Sequence, residues 1–408
     1  LYYVMWLLQQ INPDTFFIYA VVVMMDCLAV VLIPFIFRTA IGSRAALFAA
    51  ALYAVTPSVL ENVWKFWNPS FSLPFAVLSY GFLLGYRGPE DRWRLAGAFG
   101  CISIALQFHI SLIYLVPIFT LYLLIARRRV SPEAALAAVA GFLIPLSPYL
   151  VLDGLNGFAN TAAIMTTSGT SVSAETIAHG AGAQFSLLER IIVSTTRVTG
   201  GRIFATGELP ALVIANPGIA VVATILFNAG LAMIIAWLPL ALYRGIRRRP
   251  VFETLERGTS VRGLVFLAAA AMAIATMITT NNAGRYFLFL LMPPVLFAGA
   301  AFQEITHTLE RRSGVITGAL IALTLAGLIF SRGAALAAYY GTARHESNSA
   351  FAVKKTIVRT LKQEFGFDVV DIDFRVGLIS IGRNGGQFIP TAENLALSYI
   401  ARTTDAPF

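Results

Sequence analysis

Charge is scarce in this chain. Charged residues make up 12% of its 408 positions, against roughly 25% in an ordinary soluble domain. That supply cannot cover the surface of a soluble 44.1 kDa particle, and the mean hydropathy of +0.74 agrees. A soluble enzyme, a disordered protein and a nucleic-acid binder are all excluded. Cysteine is nearly absent: the only two, Cys27 and Cys101, each lie in an apolar run. A disulfide framework is therefore excluded, and both read as small hydrophobes packed within membrane helices. No second His or Cys stands at ligand spacing from His109, so no metal motif is present. There is no Gly-x-Ser-x-Gly, no glycine-rich loop between a strand and a helix, and no sequence repeat. Leu1–Ile11 lacks the basic region and small-residue cleavage site of a signal peptide.

What the chain has in abundance is apolar length. Hydrophobic residues reach 57%, and ten runs approach the length of a membrane span. They are Phe16–Phe37, Ala45–Leu60, Pro69–Tyr86, Leu95–Phe108, Ile110–Ala126, Ala134–Leu152, Gly218–Tyr243, Gly263–Thr280, Tyr286–Phe302 and Val315–Phe330. The fourth and fifth are parted only by His109, as in a bent hairpin or a re-entrant pair.

The basic residues orient these runs. With strict alternation, one set of loops collects Arg38, Arg44, Arg87, Arg92, Arg94, Arg127–Arg129, Arg244, Arg247–Arg249, Arg257, Arg262, Arg311 and Arg312. That set holds 16 of the 30 basic residues, whereas the opposite short loops hold only Lys65 and Arg285. The basic set is expected in the cytoplasm, so the net charge of +9 is a topology signal and needs no nucleic acid. Leu1–Asn12 and everything after Phe330 then face outward. An outward start without a signal sequence implies at least one further helix upstream of Leu1.

Three outer regions remain. Leu1–Ile11, with Tyr2, Tyr3 and Trp6, suits an interfacial helix at headgroup depth. Asp153–Pro210 is a long outer loop rich in Gly, Ser, Thr and Ala. From about Gly341 the tail reads as a small soluble α/β unit, with an amphipathic helix over Phe351–Phe365, strands at Val369–Ile372 and Val376–Ile381, and a turn at Arg383–Gly386. The expected architecture is an all-α polytopic membrane protein, with a transmembrane domain over 1–340 and an extracytoplasmic unit over 341–408.

Polar groups near membrane depth are functional suspects. The ten runs are almost free of charge, and polar residues crowd their outer ends. The densest group is Glu61-Asn62-Val63-Trp64-Lys65-Phe66-Trp67-Asn68-Pro69-Ser70. An aromatic belt with a helix cap at Asn68 or Ser70 is its plain structural role. Lys65 adds a cation where cations are rare, suited to a lipid phosphate, while Trp64 and Trp67 can stack on a sugar or bound a prenyl groove. A second group, Thr279-Thr280-Asn281-Asn282-Ala283-Gly284-Arg285-Tyr286, presents Arg285, whose fork can grip a phosphate. Its plain alternative is an interfacial arginine reaching for water. A third, Gln107-Phe108-His109-Ile110-Ser111, places an imidazole at the meeting of two runs. It can serve a metal, a sugar hydroxyl or a phosphate, or be a satisfied structural histidine. Arg127–Arg129 and Arg247–Arg249 are stop-transfer charge, and Pro145, Pro148, Pro293 and Pro294 kink or end helices.

These segments resemble a known family. Leu1-Tyr2-Tyr3-Val4-Met5-Trp6-Leu7-Leu8 is similar to the juxtamembrane helix that follows a Gly-Pro in the first outer loop of GT-C glycosyltransferases. Trp67-Asn68-Pro69-Ser70, Gln107-Phe108-His109 and Arg285-Tyr286 resemble segments of the same family. The branch is that of the protein O-mannosyltransferase-like and lipid A aminoarabinose transferase-like enzymes. The resemblance implies transfer of a sugar from a polyprenyl-phosphate carrier to a lipid, glycan or protein acceptor on the outer face of a bacterial inner membrane. The residue reading and the resemblance together point to a donor site at Lys65, Arg285, Tyr286, Trp64, Trp67, Asn68, His109 and Gln107, and the resemblance admits a divalent cation. The family's catalytic Asp lies in the first outer loop, which here would precede Leu1, so the base is expected upstream, and Asp14 fits a helix cap better. A surface-polysaccharide polymerase or ligase is the nearest rival. A lipid-linked-sugar transporter would need charges along its spans, and a bare scaffold leaves Lys65 and Arg285 unexplained.

Overall fold

The computed structural model describes residues 2–12, 15–54, 68–159, 161–162, 260–278 and 289–310, with single positions or short pieces at 56, 59, 237, 239–241, 243–244, 252, 314–315 and 318. Among these residues the helices are α1 (Tyr2–Ile11), α2 (Thr15–Ile41), α3 (Ser43–Ala54), α4 (Asn68–Gly85), α5 (Arg92–Leu106), α6 (Leu115–Ile125), α7 (Pro132–Leu155), α8 (Val261–Ile278) and α9 (Met292–Glu310). Short 3-10 turns at Pro89–Asp91 and Ile110–Tyr114 lead into α5 and α6. No strand occurs among the described residues. Three stretches are long and apolar enough to cross a membrane, Ala20–Ile41, Pro132–Leu155 and Phe289–Glu310, and four shorter apolar helices accompany them. The expected α/β tail over 341–408 and most of the outer loop Asp153–Pro210 lie outside the described residues, as do the runs Gly218–Tyr243 and Val315–Phe330 apart from scattered positions.

Local chemistry fixes the helix ends. Ser131 opens α7 by accepting the Ala134 N–H at 3.2 Å, with Pro132 at the first helical position and Glu133 in the first turn. Pro148 leaves the Ile144 carbonyl without its helical donor, and the Ser147 hydroxyl donates to that carbonyl at 2.7 Å. At the far end Asp153, 1% exposed, accepts the backbone N–H of Thr161 at 3.1 Å and bonds its hydroxyl. The turn between α2 and α3 depends on Gly42 at φ +90°, a left-handed conformation suited to glycine. The Gln303 amide oxygen of α9 then accepts the Ala45 N–H at 2.8 Å and caps α3.

Small residues set the helix crossings. α5 and α7 share the broadest helix contact among the described residues. A Cβ at Gly141 would come within 2.3 Å of the Ala96 carbonyl oxygen, and one at Gly100 within 3.2 Å of the Gly141 oxygen. The two backbones therefore touch, the close approach that small residues permit between membrane helices. Gly299 of α9 does the same against Ala45 of α3, where an added Cβ would lie 2.4 Å from the carbonyl oxygen. Phe48 and Phe302 stack beside it with centroids 4.0 Å apart. Tyr53, Tyr80, Tyr122 and Phe119 fill the interior between α2, α4, α5 and α6. Cys101 is half-buried, whereas Cys27 faces outward on α2 rather than into the packed interior.

Some described residues of, or beside, the loops in the basic set make contacts with one another. Arg44 pairs with Glu310, and the Tyr86 hydroxyl donates to the Arg129 carbonyl at 2.7 Å. Arg244, 5% exposed, pairs with the fully buried Glu304 and donates to the Thr308 hydroxyl at 2.9 Å. One run is less apolar than its hydropathy implies, because Asp26, 4% exposed, is buried in the middle of α2; Glu304 is buried in α9 just past the end of the ninth run.

Candidate functional site

Several helices stop at a common level inside the bundle, about eleven residues in from the start of α2. α3 and α9 are antiparallel, with Gln303 on Ala45 and Gly299 against Ala45 and Ala49. This register brings Met292, at the start of α9, level with Thr56 just past the end of α3. α4 begins in the same layer, because Asp26 of α2 lies beside both Ser70 and Tyr53. α5 also ends there: Phe108 stacks on Phe71 and Phe75 of α4, with centroids 5.7 and 6.1 Å apart.

Three of the expected site residues fall within this layer. Asn68 is the first residue of α4. Gln107 caps the end of α5, and its amide donates to the Pro145 carbonyl of α7 at 2.8 Å, tying the layer to the kinked part of that helix. His109 breaks the chain between α5 and the turn before α6, in extended conformation, so the two runs around it form a bent hairpin. Its Nδ1 accepts the Ser111 backbone N–H at 3.3 Å and faces the Ser111 hydroxyl. Burial pushes the imidazole down to a pKa of about 4, so the ring is neutral at pH 7. With Nδ1 accepting, the hydrogen-bond pattern assigns the proton to Nε2. His109 is thus a hydrogen-bond donor rather than a base at neutral pH, suited to a phosphate or hydroxyl oxygen.

Residues 1–152 match the family model described as dolichyl-phosphate-mannose-protein mannosyltransferase. The matched segment spans α1 to α7 up to Leu152 and contains Asn68, Gln107 and His109, together with the Trp64, Lys65 and Trp67 segment. It supports the resemblance to GT-C glycosyltransferases and, in general terms, a membrane glycosyltransferase that uses a lipid-linked sugar donor. Neither the curated proteins nor the solved structures give a match to this chain.

Trp64, Lys65, Trp67, Arg285 and Tyr286 lie outside the described residues. Their neighbours in sequence do not. The segment carrying Lys65 joins Val59 to Asn68, and the segment carrying Arg285 ends at Phe289, just before α9. Among the described residues no three His, Cys, Asp or Glu side chains gather to hold a metal ion. The layer holds one group that reading the sequence missed, the Asp26 carboxylate. Its signal was present, a single acid within the apolar run Phe16–Phe37, but a run with one charge still scores as a membrane span.

Proposed function

We propose that this protein is a glycosyltransferase of the bacterial inner membrane. It takes a sugar from a polyprenyl-phosphate carrier and passes it to a lipid, glycan or protein acceptor at the outer face. In this reading about ten spans over 1–340 carry the site, and the unit over 341–408 stands outside the membrane. The observation that carries it is the common level of the end of α3 and the start of α9, α3 lying within residues 1–152 that match the dolichyl-phosphate-mannose-protein mannosyltransferase model. Lys65 and Arg285, the two cations of the short outer loops, belong to the segments that meet these two ends.

The chemistry follows from the charges. As the bond from the anomeric carbon to the phosphate breaks, negative charge builds on the phosphate oxygens. Fixed cations stabilise that charge as it develops. Lys65 and Arg285 grip the phosphate, the neutral His109 donates to an oxygen of the donor, and Trp64 and Trp67 border the sugar or the prenyl chain. A base removes the proton of the acceptor hydroxyl as it attacks.

The test is transfer from a polyprenyl-phosphate sugar in detergent. Lys65→Ala and Arg285→Ala should each lower turnover at least tenfold, about 1.4 kcal/mol of barrier. Arg285→Lys should also fall, because the fork is lost while the charge stays. Arg257→Ala, in a loop of the basic set, should remain near wild type. Wild-type turnover by both alanine variants would refute the phosphate site.

A further inference from the structure

Two short loops meet where α5 and α7 begin, and together they carry more than membrane topology requires. Tyr86, just past the end of α4, donates its hydroxyl to the Arg129 carbonyl at 2.7 Å. Arg92, at the start of α5, attracts Glu133 in the first turn of α7. The loops 86–92 and 126–131 are therefore held side by side. Arg87, Arg92, Arg94, Arg127 and Arg129 are all exposed at this junction. The neighbouring acids do not cancel them. Asp91 is turned into its own loop, where it accepts the Arg87 N–H at 3.1 Å and lies 3.7 Å from Arg94. Glu133 faces Arg92, and Glu90 is the one other acid of the two loops. Arg127 and Arg129 form no ion pair among the described residues.

Two features exceed what stop-transfer charge needs. Trp93 is 72% exposed, and the Arg92 guanidinium lies 5.5 Å from its ring centroid. An indole this open is unfavourable in water, whereas at headgroup depth one edge is wet and the other is covered by acyl chain. Leu124 of α6 and Leu136 of α7, about one turn in from the loop between them, are also exposed, so lipid-facing surface begins directly beside the arginines. The second feature is the end of α6. Arg127 takes φ +54°. Its N–H donates to the Leu124 carbonyl and that of Arg128 to the Leu123 carbonyl. This is a Schellman ending, whose left-handed position usually falls to glycine. The fold alone favours glycine at 127, and the arginine keeps a cation there against a conformational penalty.

We propose that this junction binds the headgroup of an anionic phospholipid of the surrounding bilayer. The arginine forks take the phosphate through paired hydrogen bonds. Their summed charge favours a net negative headgroup over a zwitterion, and Trp93 lies against the glycerol and the upper acyl chain. A soluble anion would leave Trp93 and the exposed leucines uncovered, whereas a lipid covers them as well as the arginines. The site lies at the opposite end of α5 from Gln107 and His109, and it does not depend on the transferase reading.

The full chain in detergent, titrated with phosphatidylglycerol or phosphatidylcholine brominated in the upper acyl chain, tests this. The signal is quenching of Trp93, taken as the difference between each protein and the same protein carrying Trp93→Phe. Wild type should prefer phosphatidylglycerol by about tenfold or more, since each arginine beside an anionic headgroup is worth about fivefold. Arg127→Gly should be at least as stable as wild type in thermal unfolding, because glycine suits the left-handed turn, yet should lose about fivefold of the preference. Arg129→Gln should lose a similar share. Arg312→Gln, in the basic loop after α9, is the control, since α9 packs on α3 and α8 rather than on α5 or α7; its preference should stay within about twofold of wild type. Equal quenching of wild type by the two lipids overturns the site. An undiminished preference in Arg127→Gly does the same, and if that variant does not fold, an undiminished preference in Arg129→Gln does so. An equal loss in Arg312→Gln would reduce the effect to the diffuse charge of the basic loops and also overturns it. Relief of the quenching by excess inorganic phosphate would assign the arginines to a soluble anion and overturn the lipid.

Discussion

Gly141→Ala isolates what holds α7 to the bundle. Only 6% of the apolar window of this helix is buried, and its broadest contact is with α5. An added methyl at position 141 would sit 2.3 Å from the Ala96 oxygen and 2.8 Å from both the Ala96 carbonyl carbon and Cα. These are backbone atoms and cannot rotate away. Ordinary contact requires a separation of at least 3.4 Å, so α5 and α7 must part by about 1 Å. A gap of that size forfeits a quarter to a half of each dispersion contact along the crossing, and overpacking of this kind destabilises by about 1–3 kcal/mol. Replacing glycine with alanine in a helix returns up to ~1 kcal/mol of propensity, leaving a net loss of about 1–2 kcal/mol. Gly314→Ala is the control, since nothing lies within 4 Å of its added methyl. Thermal unfolding in detergent reads the difference, and hydrogen exchange should show the loss concentrated in α7. A Gly141→Ala protein as stable as the Gly314→Ala protein would refute the backbone contact.

Two further outcomes are expected. Glu304→Gln leaves the Arg244 guanidinium buried against a neutral amide and should destabilise by about 3–5 kcal/mol in the same unfolding assay, whereas Glu310→Gln at the exposed Arg44 pair should change stability by less than ~1 kcal/mol. His109, held at about 4 by burial, binds its proton more readily in the unfolded chain, near pH 6.5. Stability should therefore be constant above pH 7 and fall as the pH drops from about 6.5 to 4. His109→Gln should remove that part of the pH dependence, and an unchanged profile would refute the buried neutral imidazole.

Hydropathy read the helices well where apolar runs and helices coincide. α2, α4, α5, α6, α7 and α8 all fall where apolar runs were found, and the break at His109 appears as a cap and a 3-10 turn. The read failed where polar residues are buried with partners. The run ending at Phe302 continues as helix to Glu310, because Gln303 caps α3 and Glu304 is paired with Arg244. A scan for apolar residues stops at such positions, since it cannot see a partner tens or hundreds of residues away. The same blindness hid Asp26. It lies beside Ser70 and Tyr53, and neither adjacency leaves a mark in linear sequence. Of the expected site, Asn68, Gln107 and His109 share one layer in space, while the pairing of Lys65 with Arg285 rests on the level of the helix ends that precede and follow them.

The cap on α3 also sets an order of assembly. The N–H of Ala45 is closed by a side chain 258 positions later. At ribosomal rates of ~5–20 residues per second, about 13–50 s separate the synthesis of the two. During that interval the α2–α3 turn is in place but its donor is open, and the face of α3 that will receive Gly299 has no helix against it. The helices made before α9 must therefore wait in the membrane unfinished, with a vacant slot beside α3 that only the later part of the same nascent chain is shaped to fill.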